Sequence, residues 1–235
     1  MLNLILQRIA PIMIALAMLL NSTASVFGLD PVIPYNTDRT DVVVSGKITT
    51  DIKEILECYN SAVKKSGLVV GKSYADVVGT PKVTSPDISN IDMNAYWQAY
   101  EEIVTYVFEV PGNGELTVAD VKSAKMSEEN GKKSLIIKLK DTNKFTEDSP
   151  VSKGFGYKAG VEDGFEMVGF TISGGEYDEK YTDCVISCVI GSNGKIIYGD
   201  WDSTGHINAK NITVEMFGYE ATMSMEYEMI HHIDI

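Results

Sequence analysis

The sequence predicts an α+β fold, in which two helices pack on one face of a curved antiparallel sheet of five or more strands. Three observations lead to this prediction: an amphipathic helix with start and stop signals, two glycine-turned hairpins, and a long final strand of alternating apolar and polar residues. Residues 50–235 are expected to form a single α+β domain, because a chain of this length can bury one core.

The first predicted helix begins after residue 50. Thr50 or Asp51 is expected to cap it, and Glu54 stands three residues after Asp51, as in a capping box. Gly67 is expected to end it. The residues that recur at helical spacing are Ile52, Ile55, Leu56, Tyr59, Ala62 and Val63.

A second helix is predicted over residues 93–108, ending at the glycine-rich turn of residues 111–114. Its apolar face is rich in aromatic residues, among them Trp97 and Tyr100. Such a face either lines a ligand groove or packs in the core, and core packing is its more common use.

The second half of the chain predicts antiparallel sheet. Residues 121–126 and 135–140 flank an Asn-Gly turn, and residues 181–190 and 195–201 flank a second glycine turn. Each arrangement is typical of a β-hairpin.

The last predicted strand covers residues 219–231, where apolar and polar side chains alternate as in a half-buried strand. Methionines adapt to varied ligands, so those near this strand are candidates for the wall of an apolar pocket between helix and sheet, with ordinary core as the alternative. These candidates are Met216, Met223, Met225 and Met229.

The first 28 residues predict a cleavable signal peptide. Arg8 precedes a short apolar run of residues 9–20, and small residues follow, with cleavage expected after Ala24 or Gly28. An uncleaved membrane anchor is the alternative, although the run is short for a span of about 20 residues. Residues 29–49 are interpreted as a linker with a short strand at residues 42–44. No stable membrane span is expected after removal of the signal, and the protein is expected to be secreted or associated with the cell envelope.

The charge balance argues against nucleic acid as a partner. The chain has 20 Lys+Arg and 33 Asp+Glu, and Arg39 is the only arginine after the predicted signal. Recognition of phosphates and bases favours the forked guanidinium group and a basic surface. The sequence leaves the ligand, the partners and the oligomeric state open.

Three cysteines are too few for a disulfide-based scaffold. Cys184 and Cys188 lie four residues apart on a predicted strand, too far apart to bond to each other, and are interpreted as core residues. Cys58 on the first helix is also interpreted as a small buried residue, with a disulfide to Cys184 or Cys188 as the alternative. No cofactor and no metal site is predicted.

Four carboxylates are the candidates for acid–base chemistry: Asp200, Asp202, Glu226 and Glu228. Each pair lies two residues apart on one face of a predicted strand, about 6.6 Å by strand rise, within the range that glycosidases use. No sequence motif for a hydrolase nucleophile, a zinc protease or a phosphate-binding loop is present. The sequence therefore favours a non-catalytic binding or envelope-associated module, with an extracellular polysaccharide hydrolase as the alternative.

Three parts of the chain carry a resemblance: residues 54–63, residues 116–121, and Tyr181-Thr182 leading to Asn193-Gly194-Lys195-Ile196. They resemble uncharacterised exported domains of Gram-positive bacteria, over roughly residues 50–235. The resemblance implies an N-terminal helix followed by a long antiparallel sheet, and export from the cell. It implies no activity and no site residues.

Overall fold

The computed structural model describes residues 42–85, 105–156, 171–216 and 219–235. These residues form mostly antiparallel sheet with two helices, so the α+β class is confirmed. The helices are α1 (Ile52–Ser66) and α2 (Pro150–Phe155). The strands are β1 (Ile48–Thr49), β2 (Leu68–Ser85), β3 (Thr105–Glu109), β4 (Val121–Glu129), β5 (Lys132–Leu139), β6 (Thr171–Ser173), β7 (Glu176–Ile190), β8 (Ile196–Met216) and β9 (Tyr219–Asp234).

All nine strands of the described residues belong to one sheet, and every pairing is antiparallel. The strand order is β1-β4-β5-β7-β8-β9-β2-β3, and β6 pairs with the far end of β8. Three strands are unusually long, with 18 residues in β2, 21 in β8 and 16 in β9. They are adjacent in the sheet, in the order β8-β9-β2.

Helix α1 begins and ends where the sequence predicted. The Asp51 carboxylate caps it by accepting hydrogen bonds from the backbone amides of Lys53 and Glu54, at 3.0 and 3.2 Å. The reciprocal half of the expected capping box is replaced, because the Glu54 carboxylate accepts from the Thr49 hydroxyl instead. Gly67 ends the helix with φ of 69°, a conformation that a glycine adopts without strain.

Both predicted hairpins are confirmed. Strands β4 and β5 pair around Asn130 and Gly131, whose φ angles of 52° and 74° fit the mirror-image turn that matches strand twist. Strands β7 and β8 pair over a longer stretch than predicted. The buried residues of β5, Leu135, Ile137 and Leu139, alternate with more exposed ones, as expected for a strand with one face in the core.

Side chains of α1 share one core cluster with side chains of β4, β5, β7, β8 and β9. At its centre Trp201 of β8 is fully buried, opposite Ile186 and Ile233 on the neighbouring strands. The Ser66 hydroxyl also ties the end of α1 to the start of β8, because it accepts a hydrogen bond from the backbone amide of Ile196. Helix α1 and these strands therefore contribute side chains to the same core cluster.

A β-bulge at Asp183 interrupts the alternation of β7. Asp183 has φ of 51°, and the register with β8 shifts by one residue between Thr182 and Val185. Before the bulge the odd-numbered residues of β7 are buried, and after it the even-numbered ones are. Thr182 and Cys184 consequently lie on opposite faces of the sheet.

Two predicted elements differ from the structure. Residues 105–108, the end of the predicted second helix, are part of β3, while residues 93–104 lie outside the described residues. The helix prediction was wrong for residues 105–108. Their β-branched and aromatic side chains fit the period of a helix and that of a strand, and pairing with β2 makes them a strand. The short strand expected at residues 42–44 is also absent there, and β1 lies at Ile48–Thr49 instead.

Helix α2 is the second helix of the described residues, at a place that the sequence did not predict. Its Lys153 forms an ion pair with Asp120 at 3.5 Å, and Val151 and Phe155 belong to the core cluster. Neither described helix is both long and apolar enough to cross a membrane.

Candidate functional site: the two faces of strands β7 to β9

Strands β8 and β9 present two chemically different faces. The inner face carries the buried odd-numbered residues of β8 from Gly199 to Ala209, including Trp201 and Ile207, together with His231 and Ile233 of β9. The outer face carries the even-numbered residues, together with the residues of β7 that pair with them before the bulge. Its chemically functional side chains include Asp178, Lys180, Thr182, Asp200, Asp202, Thr204, His206, Glu226, Glu228 and His232.

The outer face brings together a hydroxyl, an imidazole and a carboxylate from three adjacent strands. Thr182 Oγ1 lies 2.9 Å from His206 Nε2, and Glu228 Oε2 lies 3.3 Å from His206 Nδ1. When the proton is on Nδ1, the ring donates to Glu228 and its Nε2 accepts from the Thr182 hydroxyl. The side chains of His206 and Glu228 are 40% and 44% exposed, so the group is open to solvent.

A second imidazole–carboxylate pair lies further along the same two strands. His232 Nδ1 is 2.5 Å from Asp202 Oδ1, and the two residues are direct cross-strand partners. Their side chains are 17% and 30% exposed, so this pair is more shielded than His206 and Glu228. The two pairs are arranged in opposite order across the strands, since β8 supplies the carboxylate of one pair and the imidazole of the other.

The four predicted carboxylates lie on this one face, but the structure does not combine them as expected. Asp202 and Glu228 are each held by a histidine, and Glu226 is exposed opposite Asn208. Asp200 is only 3% exposed, accepts a hydrogen bond from the Tyr198 hydroxyl at 3.2 Å, and lies opposite a different buried acid, Asp234.

The inner face contains a buried acid that sequence reasoning missed. Glu179 of β7 is 5% exposed, and its two carboxylate oxygens accept hydrogen bonds from the hydroxyls of Tyr181, at 2.7 Å, and Tyr177, at 3.1 Å. The ring of Tyr181 lies 6.2 Å from that of His231. Burial lowers the pKa of His231 to about 4, and the neighbouring His232 contributes to the same shift. The buried Glu179 and its two tyrosine partners therefore form a polar group on the otherwise apolar inner face.

The predicted ligand-binding residues are only partly located. Trp97 and Tyr100 lie outside the described residues. Met216 is on β8, and Met223, Met225 and Met229 are on β9, where the register places Met225 opposite Ala209 and Met229 opposite Gly205. On β8 the neighbouring residues Ile207, Ala209 and Ile212 are each about 1% exposed.

All three cysteines are free thiols, so the alternative of a disulfide from Cys58 is not realised. Cys184 and Cys188 are buried in the core cluster, as the sequence predicted, whereas Cys58 is only partly buried. Burial raises the pKa of Cys184 to about 12 and also raises those of Cys58 and Cys188. Thiols that resist ionisation are poor nucleophiles and poor metal ligands.

The described residues hold no group of three or more His, Cys, Asp and Glu side chains arranged to bind a metal ion. Neither the cluster of Thr182, His206 and Glu228 nor the buried Glu179 follows from a linear motif. Each depends on strand register. The only sequence signal for the buried Glu179 was the alternation of residues 176–182.

Comparison with protein-family models, with curated proteins and with solved structures finds no match to this chain.

Proposed function

We propose that this protein is an exported binding module, in which the two helices cover one face of a curved sheet and the ligand lies against the inner face of β7 to β9. The observation that carries the proposal is the burial of Ile207 and Ile212. Both are about 1% exposed, yet neither belongs to the core cluster that α1 shares with the sheet. We infer a second apolar region on the long strands, beyond the core beneath α1.

The residues around this region have the composition of a ligand pocket. The register places the small residues Gly205 and Ala209 opposite Met229 and Met225. A Cβ on Gly205 would lie 3.3 Å from the Tyr181 ring, so an aromatic side chain borders this region. Glu179 lies opposite Ile207 and places a hydrogen-bond acceptor among them. Pockets for small molecules combine an apolar lining with a few fixed polar groups. The ligand class that fits is an amphiphile with an apolar body and a head group that donates hydrogen bonds, such as an ammonium.

The alternative, a polysaccharide hydrolase with paired carboxylates, has less support from the geometry. Such an enzyme needs two accessible carboxyl groups on either side of the bond that is cut. Asp200 is buried, and Asp202 is bonded to His232. Burial therefore closes Asp200 to a carbohydrate chain, and Asp202, although 30% exposed, is already engaged by His232.

Export rests on the predicted signal peptide in residues 1–28 and on the resemblance to exported Gram-positive domains. A secreted or envelope-associated protein meets lipids, peptides and small amphiphiles outside the cytoplasm. The proposed ligand class is compatible with that location.

Native mass spectrometry of protein purified from its own host tests the proposal, together with titration of an apolar fluorescent dye. We expect a small ligand to co-purify, or the dye to bind with one site. Ala209→Leu should fill the proposed pocket and abolish dye binding at little cost in stability. The matched control Ala124→Leu adds the same atoms to the packed core, so it should cost about 1–3 kcal/mol and leave dye binding intact.

Two results would contradict the proposal. The first is wild-type protein that carries no ligand and binds no apolar dye. The second is an Ala209→Leu variant that loses as much stability as Ala124→Leu, because that loss would show that the space beside residue 209 is already filled.

A further inference from the structure

We propose that Thr182, His206 and Glu228 form an acyl-transfer site on the outer face, in which Thr182 is the nucleophile for small activated esters or thioesters. One imidazole ring contacts both of the other groups. His206 Nε2 lies 2.9 Å from the Thr182 hydroxyl, while Nδ1 of the same ring lies 3.3 Å from the Glu228 carboxylate. A nucleophile within hydrogen-bond reach of a base, with the base oriented by a third group, is the arrangement that activates hydroxyl nucleophiles.

The sheet holds this arrangement through its register. His206 and Glu228 are direct cross-strand partners on β8 and β9, and Thr182 pairs with Thr204, two residues before His206. The bulge at Asp183 follows Thr182 immediately and sets the face on which its hydroxyl lies. The Thr182 hydroxyl is also 3.5 Å from the Asp183 carboxylate, a longer contact than the one to His206. The imidazole is therefore the better-placed acceptor for the hydroxyl proton.

The proposed reaction consumes only the acyl donor and water. Thr182 Oγ1 attacks the acyl carbon while its proton passes to His206 Nε2. The bond to the leaving group then breaks, and His206 returns the proton to the leaving oxygen or sulfur. A water molecule attacks the acyl-threonine in the same way, which releases a carboxylic acid and restores the Thr182 hydroxyl.

The surroundings suit a small substrate. His206 and Glu228 are 40% and 44% exposed, so an acyl donor reaches the ring directly. Lys180 lies opposite His206 on the same face, and its ammonium group, 47% exposed, forms an ion pair with Asp178 at 2.6 Å. It therefore stabilises a developing oxyanion only by leaving that carboxylate. This site is on the face opposite the proposed ligand pocket, so the two proposals stand on different residues and fail separately.

The test is the reaction of the purified protein with p-nitrophenyl acetate, followed by release of p-nitrophenol and by peptide mapping. We expect an acetyl group on Thr182 and hydrolysis above that of a protein-free solution. Thr182→Val should remove both. His206→Gln should slow acetylation about 100-fold or more, which is the usual contribution of a general base. An acetyl group found only on lysine amines, or on Thr182 at the same rate in His206→Gln, would overturn the proposal.

Glu228 is a positioning residue, because it acts through the imidazole. Glu228→Gln should slow acetylation while the thermal midpoint stays near that of the wild type, and ¹⁵N NMR should show that the proton of the His206 ring no longer favours Nδ1. The matched controls on the same face are Thr204→Val, Glu226→Gln and His232→Gln, which should acetylate Thr182 at the wild-type rate. Equal slowing in Glu226→Gln and Glu228→Gln would contradict the assigned role.

Discussion

The indole Nε1 of Trp201 donates a hydrogen bond to the hydroxyl of Tyr59, at 3.1 Å, across 142 residues of sequence. Both side chains are fully buried, and the Tyr59 hydroxyl lies 3.5 Å from the carbonyl oxygens of Pro111 and Gly154. This single hydroxyl therefore joins α1, the centre of the sheet, the segment after β3 and helix α2. Burial is also the main cause that raises its pKa.

Tyr59→Phe should destabilise the protein by about 1–3 kcal/mol, because it leaves the buried indole N–H of Trp201 without this acceptor. Urea unfolding of the two proteins measures the difference. Trp201→Phe provides the second arm of a double-mutant cycle, in which the losses from Tyr59→Phe and Trp201→Phe should not add. Additive losses would show that the two groups do not interact in solution.

The buried His231 predicts a loss of stability in mild acid. Its pKa in the folded protein is about 4, below the ordinary value of 6.5, so the unfolded chain binds the proton more readily. The stability that this group contributes is fully present above pH 6.5 and is lost as the pH falls towards 4, by about 3 kcal/mol at most.

Urea unfolding between pH 7 and pH 4 tests the His231 prediction. The variant His231→Gln should lose less stability over this window than the wild type does. The control His206→Gln removes a half-exposed histidine of the same strand pair and should keep the wild-type loss. A wild-type curve that runs parallel to the His231→Gln curve would contradict the prediction.

Gly199 and Gly131 predict two different costs for the same substitution. A Cβ on Gly199 would lie 2.6 Å from the Trp201 ring, which is fully buried and cannot move away, so Gly199→Ala should cost about 3 kcal/mol. A Cβ on Gly131 meets Ser192 at 3.7 Å, and only the φ of 74° opposes it, so Gly131→Ala should cost about 1 kcal/mol.

Thermal or urea unfolding distinguishes the two glycine variants, and near-ultraviolet circular dichroism reports on the Trp201 environment. We expect the aromatic signal to change in Gly199→Ala and to stay the same in Gly131→Ala. If both variants lost the same stability, the close packing of Trp201 over Gly199 would be refuted.

The elements that the sequence predicted correctly are those in which several local signals agree. Helix α1 has a capping aspartate, an apolar stripe and Gly67 at its end, and the β4–β5 hairpin has an Asn-Gly turn between alternating strands. Helix α2 was missed although Ser149 precedes it, Pro150 begins it and Gly156 follows it, which is the usual order of helix punctuation. With six residues it is too short to show an apolar period.

The site was not predictable from local pattern. Thr182 and Cys184 have the same parity in β7, so simple alternation places them on one face, whereas the bulge at Asp183 separates them. The contacts of His206 with Thr182 and Glu228 depend on the registers of two strand pairs. Register is set by bulges, turns and long-range packing, and a linear motif records none of these.

The predicted signal peptide gives the last prediction. If residues 1–28 contain the signal, the secreted protein begins at Ser25 or Leu29 and is about 3 kDa lighter than the full chain, at about 110 Da per residue. A chain that begins at Leu29 should still fold cooperatively, because the first buried side chain of the described residues is that of Ile55, well after this start. N-terminal sequencing of the protein from culture supernatant identifies the cleavage site.

Two variants are the matched controls. Leu16→Arg places a charge in the apolar run and should retain the chain in the cell. Arg8→Lys preserves the charge and should leave secretion unchanged. Protein found only in the membrane fraction, with Met1 intact, would show that the segment is an anchor.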